Sequence, residues 1–150
     1  MHDIDDNELT MYNRLGEIFY ILHKNNRKFL NDSLNRYDLN LLQAMCLLMI
    51  NEKKNITQQD LTDHYFMTKS AITKAIRKLE IQKYIVRKTS QEDGRQYELH
   101  LTQKGEKIIP ILNEINSKWE TTLGLHELDE EFMKTLFSLA EKSINLNENE

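Results

Sequence analysis

The apolar positions of this chain keep one spacing for a while and then change it, and each change marks an element. Over residues 8–34, Leu9, Tyr12, Leu15, Ile18, Phe19 and Leu22 fall at helical intervals, which predicts a long amphipathic helix ending before Tyr37. Residues 38–52 are apolar nearly all round, so a helix there is expected to be buried on most sides, with Asp38 as its N-cap. Thr57-Gln-Gln-Asp60 has the form of a capping box and opens a short helix to about Tyr65. Thr68 is placed to cap a second helix through TKSAITKAIRKLEIQKY, after only a brief connection. Two short helices joined this tightly, the second of them basic, have the pattern of a helix-turn-helix.

The apolar period then falls from about 3.6 residues to about 2. Tyr97, Leu99 and Leu101 alternate with Gln96, Glu98 and His100, which predicts a half-buried strand, and Ile85 to Thr89 reads as its partner. Between them Asp93-Gly94 supplies a turn able to take a positive φ. Thr102 is expected to cap a long helix to about Leu123, with Pro110 inside it as a bend or a missing hydrogen bond. Phe132, Leu136, Leu139 and Ile144 predict a last helix over 129–145, with Asp129, Glu130 and Glu131 suiting its N-terminus. The fold class expected is mainly α: a winged helix-turn-helix lobe with one small β-hairpin, flanked by N- and C-terminal helices.

Composition narrows this further. One proline and four glycines in 150 residues are too few for the tight turns of an all-β fold. The single cysteine, Cys46, leaves no intrachain disulfide framework and fits a reducing compartment. The acidic opening MHDIDDNELT lacks the apolar core of a signal peptide, and no apolar run reaches the length of a membrane span. A soluble, cytoplasmic protein with no membrane partner is expected. The net charge of −4 speaks mildly against a nucleic-acid partner until its distribution is seen. Residues 68–95 hold eight Lys/Arg against three acids, a local +5 that leaves −9 for the rest of the chain. A basic centre between acidic ends can hold a polyanion locally.

Candidate chemistry lies in that centre. At about 100° per residue, Lys69, Ser70, Thr73, Lys74, Arg77 and Lys78 share one half of the second helix. Ala71, Ile72, Ala75, Ile76 and Leu79 share the other half, and only Glu80 intrudes on the polar side. With Thr68 at its start, that face suits a DNA major groove. Arg and Lys donate to guanine or phosphate, Ser and Thr bond either, and a Thr methyl can meet a thymine methyl. The hairpin then reads as a wing. Arg95 at its tip is placed to enter a minor groove, Asp93 and Gly94 to orient it, and Arg87 and Lys88 on the opposite strand to reach phosphates.

These motifs resemble the MarR-type winged helix-turn-helix regulators over nearly the whole chain. The family's run appears as Leu79-Glu80, Val86-Arg87, Asp93-Gly94-Arg95 and Leu101-Thr102-Gln103-Lys104-Gly105. Two departures stand out: Ile81-Gln82-Lys83-Tyr84 replaces a glycine-containing turn, and His64, Tyr65 and Phe66 are bulky. The resemblance implies one MarR-like domain over 1–150. Its DNA-binding lobe spans about 37–101, and helices 8–34 and 102–145 form a homodimer. It implies a double-stranded, near-palindromic DNA operator, a repressor as the sign of regulation, and release by a small aromatic or phenolic effector.

Other chemistry is poorly represented. Histidines 2, 23, 64, 100 and 126 show no metal-ligand spacing, so no metal or cofactor is expected. No Gly-rich phosphate loop, G-x-S-x-G or HExxH motif points to an enzyme. Two alternatives stay open beside the DNA-binding regulator. One is a winged-helix protein-interaction module without DNA binding, and the other is a redox-sensing regulator using Cys46.

Overall fold

A computed structural model describes residues 8–148, with side chains over 14–146. The acidic opening, His2 and the side chains of Leu9 and Tyr12 lie outside the described residues. The elements are α1 (Glu8–Leu34), α2 (Leu41–Glu52), α3 (Gln58–Tyr65), α4 (Lys69–Ile81), β1 (Ile85–Thr89), β2 (Tyr97–Leu101), α5 (Gln103–Leu123) and α6 (Glu130–Glu148). Short 3-10 turns follow α1 and α5. The chain divides into two compact units, 1–115 and 116–150.

In the first unit, α2, α3 and α4 converge on one core with the hairpin. Leu47, Leu61, Ile72, Ile76 and Leu79 are fully buried there, and Ile85 and Leu99 close it from the strands. Leu30 and Leu34 add the C-terminal end of α1, and Ile108, Ile109 and Leu112 add the start of α5. The buried set on α4 is the apolar half of its wheel, which leaves the basic half outward. Helix α2 buries Gln43 as well, and its side-chain oxygen is satisfied there because Gln43 and Asn40 cap each other.

The antiparallel hairpin pairs Ile85 with Leu101 and Thr89 with Tyr97. A third segment joins its outer side, where the Leu99 amide donates to the Ile56 carbonyl at 2.8 Å. This bond ties the wing to the residue just before α3. The first turn of α5 is fixed to the same frame. Thr102 caps it through the Gly105 amide and also donates its hydroxyl to the Lys83 carbonyl. Gly105 is buried so closely against the Tyr84 carbonyl that a Cβ there would run into that oxygen.

Three local expectations need correction. Asn40, not Asp38, caps α2, while Asp38 closes the preceding 3-10 turn in the left-handed region at φ 52°. Gly94 does not take a positive φ. The loop is longer than a two-residue hairpin, and its 93–96 turn closes with the Gln96 amide on the Asp93 carbonyl at 3.0 Å. Tyr97 is 56% exposed, so of the strand's alternating face only Leu99 is fully buried. Pro110 sits on the solvent side of α5, where its missing N–H costs one intrahelical hydrogen bond, as expected, and the helix continues past it.

The turn from α4 into β1 keeps a glycine geometry without a glycine. The Lys83 amide donates to Glu80 O at 2.9 Å and the Tyr84 amide to Leu79 O at 3.0 Å, the paired bonds of a Schellman motif. Lys83 occupies its left-handed position at φ 62°. In the second unit, α6 starts at a cap in which Asp129 accepts the Phe132 amide at 2.7 Å.

Candidate nucleic-acid interface

Two caps set the helix pair. Thr57 and Asp60 form a reciprocal capping box at α3, and Thr68 accepts the Ala71 amide at the start of α4. Phe66 makes the turn between them in the left-handed region at φ 50°. Only residues 66–68 separate the two helices, and α4 follows with its outer face clear.

On that face Lys69, Ser70, Lys74 and Arg77 are exposed, and their side chains make no hydrogen bond or ion pair among the described residues. Thr73 is exposed as well, but its hydroxyl is engaged with Gln58 and with the Lys69 carbonyl. Lys78 pairs with Asp38 at 3.1 Å, and Gln82 donates to the same carboxylate and to the Asp38 carbonyl. The Lys78 ammonium, by hydrogen bond and by charge, holds the Asp38 carboxyl below its ordinary range. The C-terminal part of α4 is thus tied to the end of the α1–α2 connection, while Lys69, Ser70, Lys74 and Arg77 stay free.

The wing is built by its own backbone amides. Ser90 Oγ collects the Glu92 and Asp93 amides, and Asp93 Oδ1 accepts the Arg95 amide at 3.0 Å. Asp93 therefore orients the Arg95 backbone and not its guanidinium, which corrects the expected charge-assisted pair. The Arg95 side chain projects exposed and unpaired among the described residues. Lys88 is likewise exposed and free. Arg87 is not, because its Nε donates to Glu80 at 2.9 Å. The acid that intrudes on the α4 wheel is the anchor of a strand arginine.

Three participants escaped the sequence reading: Gln58, Asp38 and Gln82. All act through contacts between residues at least 15 positions apart, and no periodic pattern announces these.

Away from this face, a cavity of about 510 Å³ lies between α1, α2 and the α3–α4 turn. His23, Arg27, Asn31, Leu42, Tyr65 and Met67 are among its walls. The Tyr65 hydroxyl donates to Met45 O at 2.9 Å, and Asn31 Oδ1 is buried without a partner. Cys46 is fully buried in α2, and burial pushes its thiol up to about 12. That opposes the thiolate a redox sensor needs. No group of three or more metal-ligating side chains occurs among the described residues, and none of their helices is long and apolar enough to cross a membrane.

Capped helix pair, outward basic helix and hairpin together define a winged helix-turn-helix protein. The MarR family model matches residues 37–96 of the chain, from the residue before Asp38 to the end of the wing loop. The HTH-type transcriptional regulator BilQ of Clostridioides difficile is 27% identical over 128 residues, covering 85% of this chain and 86% of BilQ. A crystal structure of MarR superposes with a TM-score of 0.72 at 27% identity, over 100% of both chains. The MepR–DNA complex of S. aureus has a TM-score of 0.73 at 22% identity, covering 87% of this chain and 96% of MepR, and shows likeness of fold alone. The helix pair and wing of this chain thus match the MarR family model, and the HTH-type regulator it resembles over most of its length is a transcriptional regulator.

Proposed function

We propose that the protein binds double-stranded DNA as a homodimer, with α4 in the major groove and the wing arginine in the minor groove of each half-site. The observation that carries this is the free cationic face of α4 beside an exposed Arg95. Lys69, Lys74 and Arg77 have no protein partner among the described residues, while the other half of α4 is buried. Unpaired cations on a rigid helix suit phosphate oxygens and guanine edges. Lys88 adds a phosphate contact, and Thr68 and Ser70 add hydroxyls at the start of the helix. Lys78 and Arg87 contribute by holding α4 and β1 in place as well as by their charge.

Residues of about 37–101 then form the DNA-reading lobe, and 8–34 and 102–145 form the dimer arms. Large exposed apolar side chains support this division. Helix α1 exposes Leu15, Ile18, Phe19 and Leu22, and α6 exposes Phe132 and Phe137. Such clusters mark association surfaces. Two-fold symmetry sets the recognition helices roughly 34 Å apart and requires a near-palindromic site. A dimer seated across a promoter excludes other proteins from it, so repression is the expected sign.

The cavity behind α3 supports release by a small aromatic or phenolic effector. Tyr65 and Met67 offer apolar walls, and the unpaired Asn31 oxygen would accept a phenolic hydrogen. Selection from random oligonucleotides tests the DNA reading. It should return an inverted repeat whose binding weakens steeply with salt. No enrichment at any salt refutes it. Simple phenols should then lower affinity for the selected site in the wild type and less so in Asn31→Leu.

A further inference from the structure

Gln58 opens α3, yet its side chain belongs to the surface of α4. Its Nε2 donates to Thr73 Oγ1 at 2.6 Å. The Thr73 hydroxyl in turn donates its one hydrogen to the Lys69 carbonyl at 2.7 Å. A hydroxyl has a single hydrogen and two acceptor lone pairs. In Thr73 the hydrogen and one lone pair are both engaged within the protein. This hydroxyl cannot donate to guanine O6 or N7, to adenine N7 or to thymine O4 while those bonds stand. The group that exposed Thr73 still has to offer is its methyl. In the major groove the apolar mark is the thymine 5-methyl group.

We propose that Thr73 selects thymine by methyl contact, and that Gln58 is the positioning residue that enforces this by holding the Thr73 hydroxyl. The proposal rests on the DNA-reading surface described above and adds the base it prefers and the residue responsible. Gln58 is a half-buried side chain on a different helix, so the two helices of the motif share one base-reading unit.

The test uses the full-length dimer and its selected operator, with each thymine replaced in turn by deoxyuridine, which lacks only the 5-methyl group. Replacement at one symmetric position should weaken wild-type binding about fourfold per half-site, the value of one buried methyl. Thr73→Val, which keeps the methyl and removes the hydroxyl, should retain that thymine-to-uracil ratio. Thr73→Ser, which keeps the hydroxyl alone, should lose it. Gln58→Ala should move the ratio toward one while leaving thermal melting and the salt slope unchanged, results a merely structural role would not give. An operator insensitive to uracil at every position overturns the inference and leaves the DNA reading intact. So does a Gln58→Ala protein with an unchanged ratio, or a Thr73→Val protein that loses it. If no oligonucleotide is enriched at all, both readings fall together.

Discussion

Gly105 gives the sharpest test of how the lobe is joined to α5. Replacing it with alanine puts a methyl group into the Tyr84 carbonyl oxygen, with Leu101 Cδ2 a further 3.2 Å contact. That oxygen accepts the Thr102 amide at 3.0 Å and takes, at 3.2 Å, only a share of the hydroxyl hydrogen that Thr102 gives to Lys83 O at 2.6 Å. Moving it aside weakens the amide bond and the shared hydroxyl contact, together about 1–2 kcal/mol net. Overpacking a closed site adds about 1–3 kcal/mol, and alanine returns up to about 1 kcal/mol of helix propensity. The expected loss for Gly105→Ala is about 2–4 kcal/mol. At roughly 2–4 °C per kcal/mol for a chain of this size, melting should fall by about 5–15 °C. Gly94→Ala is the control, since nothing lies within 4 Å of a Cβ there and its φ is not positive. It should change stability by less than about 0.5 kcal/mol. Urea unfolding followed by circular dichroism, at one fixed protein concentration, measures both variants. A Gly105→Ala loss under about 1 kcal/mol, or a Gly94→Ala loss as large as that of Gly105→Ala, would refute the packing argument.

Lys83→Gly should stabilise the protein by about 0.5–1 kcal/mol, since it relieves a left-handed lysine at some entropic cost to the unfolded chain; destabilisation in the same urea assay would contradict that. Cys46 should resist thiol-reactive dyes at pH 8 until the protein unfolds, because a thiol raised to about 12 is almost wholly protonated there. Its labelling should accelerate in step with urea unfolding, and rapid labelling of the native state would restore the redox alternative. Lys88→Ala should weaken all DNA sequences alike and flatten the salt slope by about one, whereas Arg77→Ala should change base preference. Fluorescence anisotropy across a salt series separates the two, and equal effects would remove the distinction between reading and anchoring. Arg95→Ala should weaken DNA binding about tenfold, roughly the 1.4 kcal/mol of one charged contact, and leave the sedimentation coefficient of the dimer unchanged.

The parts of the fold legible in the sequence are those governed by local physics. The bounds of α1, the capping box at Thr57, the Thr68 cap and the shift of period into the strands all follow from neighbours within one or two turns. Errors arose where two local solutions compete. Asp38 and Asn40 are both good caps, and only the 3-10 turn over Asn35–Tyr37 moves the start of α2 on to Leu41. Asp93-Gly94 has the sequence of a tight mirror-image turn. Ser90, which gathers two amides at the base of the loop, makes a wider loop the better solution.

The candidate interface was legible as a set of residues but not as a set of states. The helical wheel of α4 separates core from surface correctly and makes Lys69, Lys74, Arg77, Lys78 and Thr73 look equivalent. The fold divides them. Lys69, Lys74 and Arg77 are unpaired, Lys78 is tied to Asp38, and Thr73 is held by Gln58. On the wing, Arg95 is free where Arg87 is tied to Glu80. This division has a physical consequence for recognition. A free cation meets DNA with its full charge and a flexible stem, which favours affinity and tolerates many sequences. A side chain already held by the protein loses little freedom on binding and has few bonding options left, which favours discrimination. The groups that set affinity can therefore be found by charge and exposure along the sequence. The group we propose to set base preference depends on a bond between Gln58 and Thr73, fifteen residues apart, and that bond becomes visible only when the two helices are brought together.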